Sequence, residues 1–297
     1  MTLRRRRSAS PTVASLSFSL SLASLFVLGT TLILPTHGQN TPPIITGSLA
    51  YTQANGRFYI HGGERSTTDV SSQLYALDLT RSWTADAPAW TSLAASPFSN
   101  SYHVMTHSFD NKFLYLFGRN TGTPKAPPQF INKYSVDTDT WDAGVTPAAI
   151  STPDRRDFQG AFNPATGDYM FLGGNYGNLG ATTSNALNIF YTKTGSVNEA
   201  AIPFPDLAYL QGGAVGYVGK GPGSPGLAVF AGSWSSNGTV TGKSKTLVNP
   251  GTPRINSNGA WSQLTLAAAP AGRMYPCVAS NTDGSKVVMY GGFNSET

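Results

Sequence analysis

Five short apolar runs, each ending in glycine, recur at near-equal intervals along this chain. Phe58-Tyr59-Ile60-His61 leads into Gly62-Gly63, and Phe113-Leu114-Tyr115-Leu116-Phe117 into Gly118. Tyr169-Met170-Phe171-Leu172 leads into Gly173-Gly174, Leu227-Ala228-Val229-Phe230-Ala231 into Gly232, and Val287-Val288-Met289-Tyr290 into Gly291-Gly292. The first glycines are 56, 55, 59 and 59 residues apart. A fixed period of this size means that one supersecondary unit is copied and stacked, as in propellers and solenoids.

The unit itself reads as β. Each run is preceded by a turn signal: Asn55-Gly56, Asp110-Asn111, Thr166-Gly167, Pro225-Gly226 and Asp283-Gly284. Such pairs tolerate the positive φ of tight hairpins. Before each turn lies another strand-like run: Ser48–Thr52, Tyr102–Ser108, Gln159–Phe162, Ala214–Val218 and Tyr275–Ser280. A third strand follows the glycines after a polar loop, at Leu74–Leu79, Phe130–Val136 and Ala186–Tyr191, and Trp90, Trp141 and Trp261 open a fourth. Four antiparallel strands make a blade that buries its two faces only by stacking radially on its neighbours. The expected fold is therefore all-β, a propeller of four-stranded blades with five repeats begun and the last incomplete.

A glycine pair closing strand two, a tyrosine in strand three and a tryptophan soon after resemble the kelch repeat, over about residues 44–297. Gly62-Gly63, Tyr75, Asp78 and Trp90 carry the resemblance in the first repeat, and Tyr134 and Trp141 in the second. Arg119 and Ser233 replace the second glycine of repeats two and four, and repeat three lacks the tryptophan. Kelch propellers usually close with more blades, so the resemblance implies a chain truncated after Thr297.

Residues 1–38 differ from the rest. Arg4 to Arg7 precede an apolar, serine-rich run from Val13 to Leu34, and Thr36 and Gly38 put small residues where a signal peptidase would cut. This is a secretory leader, with an uncleaved signal anchor as the alternative. The leader also explains the charge. The chain has 20 Lys+Arg and 15 Asp+Glu, and four of those arginines lie in a segment with no lysine or acid. The nearly neutral remainder, 39–297, carries no electrostatic footprint for nucleic acid. Cys277 is the sole cysteine, so no intrachain disulfide forms. Asn237-Gly238-Thr239 is an N-glycosylation sequon.

Motifs of catalysis are thin. Gly221-Pro222-Gly223-Ser224-Pro225-Gly226 matches G-x-G-x-x-G, but a strand follows where a dinucleotide site needs a helix. His103 and His107 are spaced like zinc ligands on a helix, yet lie on an expected strand without the protease glutamate. His61 precedes a glycine pair and is expected near the propeller centre. Asp78 and Asp137 are read as equivalent strand-three positions, repeat features rather than a catalytic pair. No G-x-S-x-G elbow exists.

The functional expectation is an exported, non-catalytic scaffold without cofactor that binds an extracellular protein or glycan. Its contact loops would be Glu64–Gln73, Asn120–Gln129, Asn175–Asn185 and Ser233–Lys245, with Tyr176 and Trp234 as aromatic contacts. Membrane attachment is expected only through an uncleaved leader or a further C-terminal span. The alternative follows from the kelch resemblance: a piece of a galactose oxidase-like copper enzyme, with Cys277 in the place of that enzyme's cross-linked cysteine and the copper ligands beyond Thr297.

Overall fold

A computed structural model describes residues 43–293 apart from 45, 121–122, 124, 177–181, 205–206, 208–209, 222–223, 235–245, 248–253, 258–259 and 269. The leader and the Asn237 sequon thus lie outside the described residues. Within them, every regular element is a β-strand.

Blade one consists of Ala50–Ala54, Arg57–His61, Leu74–Asp78 and Trp90–Ser92. Blade two has Val104–His107, Phe113–Phe117, Ile131–Ser135 and Thr140–Val145, and blade three Gln159–Asn163, Asp168–Leu172, Ala186–Tyr191 and Ser196–Ala201. Blade four has Gln211–Val218, Gly226–Trp234, Arg254–Ser257 and Ala260–Gln263. Each is an antiparallel sheet whose spatial order equals its chain order. Met274–Ser280 and Val287–Phe293 pair as a fifth, two-stranded sheet. Four of the five hairpins turn where the sequence puts their signals: Asn55 and Gly56 (φ 49° and 67°), Asn111 (59°), Gly167 (83°) and Gly284 (64°) all have positive φ, whereas in blade four the turn comes before Gly226, which already opens the second strand.

The buried apolar side chains form a series of cores, each between two successive blades. Tyr59, Leu74 and Met105 pack with Leu114 and Tyr134 between blades one and two. Phe117, Phe130, Phe158, Tyr169 and Phe171 fill the next interface, and Met170, Leu172, Val215 and Val229 the one after. Ala228, Phe230 and Ile255 meet Val278 of the fifth hairpin. In Asp168–Leu172, Tyr169 and Phe171 thus point to one neighbour while Met170 and Leu172 point to the other. Strand alternation serves two cores at once. Successive blades meet mainly through their first strands. This is an all-β propeller arrangement.

The glycines that end strand two are required by space as well as conformation. Gly173 has φ +71°, and a Cβ there would lie 2.3 Å from the Leu210 carbonyl oxygen. Beside it, the Gly174 amide donates to that same oxygen (2.7 Å). Gly63 N to Asn100 O (2.9 Å) and Arg119 N to Arg155 O (3.0 Å) repeat this inter-blade bond. Arg119 replaces a glycine because it does not adopt positive φ, unlike Gly63 and Gly174.

Strand pairing corrects one expectation. Asp78 pairs with Arg57, five residues before Gly62; the residue equally placed in blade two is Ser135, opposite Phe113. Asp137 lies in the following turn, so the two aspartates are not equivalent. Likewise Tyr75 pairs with Ile60, whereas Tyr134 pairs with Leu114, the register of Leu77 in blade one and Phe190 in blade three. A count from the glycine misses this because the loop between strands two and three differs in length from blade to blade. Trp90 and Trp141 do correspond, opposite Leu77 and Tyr134, and Val197 takes that place in blade three. Trp261 packs edge-on against Phe204 at 5.6 Å.

Candidate functional site on the axial face

Just before the first strand of a blade, or at its second residue in the last two repeats, one residue adopts nearly the same left-handed conformation: Ser48 (φ 56°), Tyr102 (56°), Asp157 (58°), Gly212 (56°) and Tyr275 (53°). The chain reverses there as it passes from one blade into the next. Only Gly212 does so without steric cost; for the others the conformation costs about 1–2 kcal/mol. Backbone bonds secure part of the row: Tyr102 N donates to Ser48 O (2.9 Å), and Asp157 N to Tyr102 O (2.7 Å).

The loops leaving strand two reach the same place. Glu64, Asn120 and Asn175 each lie two residues past the first glycine of their blade. Glu64 exchanges both backbone bonds with Gly47, and Asn175 does so with Arg156. Their side chains then join the row. The Asp157 carboxylate accepts from the Tyr275 hydroxyl (2.9 Å), Gln211 Nε2 (3.2 Å) and Asn175 Nδ2 (3.2 Å). Glu64 accepts from the Ser101 hydroxyl (2.8 Å), which itself accepts from Asn120 Nδ2 (2.8 Å). Arg156 donates to Asn120 Oδ1.

Asp157 is 7% exposed, while Tyr102 and Tyr275 are 36% and 42% exposed. Two half-buried phenols therefore rim a buried carboxylate and its amides. Burial first, and then the Asp157 charge, push the Tyr275 phenol well above its ordinary pKa. The bond with Ser48 works to lower that of Tyr102, but burial and the Glu64 carboxylate outweigh it and the net shift is upward. Both tyrosines are neutral at physiological pH. The face offers aromatic surface and hydroxyl, carboxylate and amide groups in fixed positions. Ser101 donates to the Glu64 carboxylate and so belongs to the same hydrogen-bonded row.

The sequence marks Ser48, Tyr102 and Tyr275 only as ends of strand-like runs and Glu64, Asn120 and Asn175 only as loop boundaries, and it points to none of them as a site. Their types differ from blade to blade; the only signal is position, since Tyr102, Asp157 and Tyr275 each lie 16 residues before the first glycine of their repeat.

His61, His103 and His107 lie elsewhere, and of these three only His61 and His103 meet. His61 and His103 are buried, with Nδ1 of the first 2.9 Å from Nε2 of the second. His61 Nε2 is 2.9 Å from the Ser96 hydroxyl, whose single proton points to the carbonyl of Phe98 or Ser72. Ser96 therefore accepts from His61, and His61 accepts from His103. The proton order is the reverse of an activated serine, and the group ties blade one to the strand entering blade two. His103 precedes the strand expected to hold it. His107 ends that strand, beside Thr52 Oγ1 (3.2 Å) and against the Phe162 ring (4.1 Å between centroids).

Gly226 opens the strand that follows the glycine-rich segment, so no helix N-terminus meets it. Cys277 is exposed and pairs in register with Tyr290. Among the described residues, no group of three or more His, Cys, Asp or Glu side chains could hold a metal ion. The described residues around Cys277 do not make a copper centre. The side chain of Trp234 lies outside the described residues, and Tyr176 is half-buried beside a shallow polar cleft. No described helix is long and apolar enough to cross a membrane.

Neither a scan against protein-family models nor a search of curated proteins gave a match.

Proposed function

We propose that the chain is an exported kelch-type propeller that acts as a non-catalytic scaffold and recognises an extracellular protein or glycan through its axial face. The observation that carries this is a pair of half-exposed phenols on one face, Tyr275 bonded to the buried Asp157 carboxylate and Tyr102 beside the carboxylate of Glu64. Half-exposed tyrosines give large contact area at low entropic cost, with a polar tip for specificity. Carboxylate and amide groups fixed beside aromatic rings suit hydroxyl-rich or polar ligands. The repeat of glycine and tryptophan, with first glycines 55 to 59 residues apart, supports the kelch reading, and the arginine-led apolar N-terminus supports export.

The test is binding of immobilised full-length protein to a glycan array and to a panel of extracellular matrix proteins. The same assay is run with a Tyr102→Ala/Tyr275→Ala variant whose unfolding midpoint is checked in parallel. The expected result is a ligand held by the native protein and lost by the variant. Equal binding by the variant, or none by the native protein, overturns the reading.

A further inference from the structure

A second surface feature lies between blades two and three, away from the axial row. Here the two sheets part to leave a groove of about 540 Å³. Its floor is aromatic: Tyr115 and Phe190 meet edge to face at 4.8 Å. Phe109 and Val145 stand at the rim, 46% and 53% exposed. Apolar side chains so placed around a concavity mark a site that takes an apolar body.

The charged side chains that line it are Lys133, Lys193 and Asp110, two cations and one acid. The Lys133 ammonium lies 3.7 Å over the Phe113 ring and the Lys193 ammonium 3.9 Å over the Phe109 ring. Lys133 is shared with Asp142 at 3.1 Å. Lys193 has no carboxylate within ion-pair distance among the described residues. Asp110 is the one acid lining the groove. Its carboxylate is held by the Ser108 hydroxyl (2.6 Å) and the Lys112 amide (3.2 Å) in its own turn. A cation resting on an aromatic face at the lip of an apolar groove is placed for an anionic head above an apolar body.

Strand pairing in blade two keeps the groove open. The register between the third and fourth strands shifts between Asp142 and Val145. Gly144 lies in this irregularity, where a Cβ would come within 2.6 Å of the Ile131 carbonyl oxygen. A bulge of this kind bends the outer strand and re-aims its side chains, and both Ala143 and Val145 line the groove.

We propose that this groove binds a small anionic amphiphile: an aliphatic or fused-ring body lying on Tyr115 and Phe190, with one carboxylate or sulfonate paired to Lys193. The inference is independent of the axial-face reading. It is tested by fluorescence titration of the full chain with 1-anilinonaphthalene-8-sulfonate, in competition with decanoate and with decanol. The expected result is saturable binding of one probe per chain, displaced by decanoate and far less by decanol. Lys193→Glu should weaken it about tenfold, the scale of one charge-assisted bond. Val145→Trp, which fills the groove from an exposed position, should abolish it, and circular dichroism should show both variants folded. Equal displacement by decanol, an unchanged affinity in the Lys193→Glu variant, or absence of saturable binding would each overturn the proposal.

Discussion

The Tyr275 hydroxyl donates to the Asp157 carboxylate at 2.9 Å, across 118 residues of chain. This bond ties the fifth hairpin to the entrance of blade three. Because Asp157 also accepts from Asn175 and Gln211, one buried side chain links the start of blade three to its own strand-two loop and to two later repeats.

Tyr275→Phe removes one bond and should destabilise the protein by about 1 kcal/mol, whereas Asp157→Ala strands several donors and should cost about 2–4 kcal/mol. In a double-mutant cycle read by urea denaturation, the two effects should be strongly non-additive. Additive losses would mean that the contact contributes nothing.

Gly173 and Gly291 share φ +71°, yet a Cβ at Gly173 would strike the Leu210 carbonyl oxygen at 2.3 Å while one at Gly291 meets nothing within 4 Å. Gly291→Ala should therefore cost only the conformational part, about 1 kcal/mol. Gly173→Ala adds displacement of a backbone and should cost at least about 3 kcal/mol. Comparable unfolding midpoints for the two variants would contradict the steric argument.

Burial holds His103 down to about 3 and His107 down to about 4, and burial followed by the neighbouring His103 keeps His61 well below its ordinary value as well. All three are neutral in the fold, while the unfolded chain takes up protons below about pH 6.5. Stability is therefore full above that pH and falls as pH drops from about 6.5 toward 4, by up to about 1.4 kcal/mol per pH unit for each histidine. Urea midpoints between pH 7.5 and 5 should show this slope, and His107→Phe should make it shallower. A flat native profile would contradict it.

Arg155 is fully buried, with its guanidinium carbon 5.1 Å from the Phe158 ring centroid and 5.3 Å from that of Phe171. It donates to the Ser184 hydroxyl (3.0 Å) and to Asn188. Burial works against its charge, and Glu199 partly offsets that. Arg155→Ala should cost about 2–4 kcal/mol through the cavity and the stranded partners. Arg155→Met fills the space without a buried charge and should be clearly milder. A thermal midpoint for the methionine variant as low as that of the alanine variant would show that the cation itself holds the blades together.

Much of the scaffold is legible in the amino-acid sequence. The glycines and turn pairs are local requirements, because positive φ and close backbone approach select residue types directly, and so the hairpins fall where Asn55-Gly56 and Thr166-Gly167 put them. The apolar runs similarly reveal strands buried on both faces. Some elements left no such trace. Blade four's third strand, Arg254–Ser257, has only Ile255 as a buried apolar residue, and the fourth strand of blade three forms without a tryptophan.

Register and site belonged to the tertiary structure alone. That Tyr75 corresponds to Asn132 of blade two rather than to Tyr134 depends on which carbonyl each amide meets across the sheet, a cooperative property of two strands and the loop between them. The axial cluster goes further. Ser48, Tyr102, Asp157, Gly212 and Tyr275 have no residue type common to all five, only a backbone conformation and a place at the start of a blade. Propensity and periodicity act over a few residues and so fix the blades. The meeting of Tyr275 with Asp157 requires the intervening blades to be stacked first, and no pattern within either segment records it.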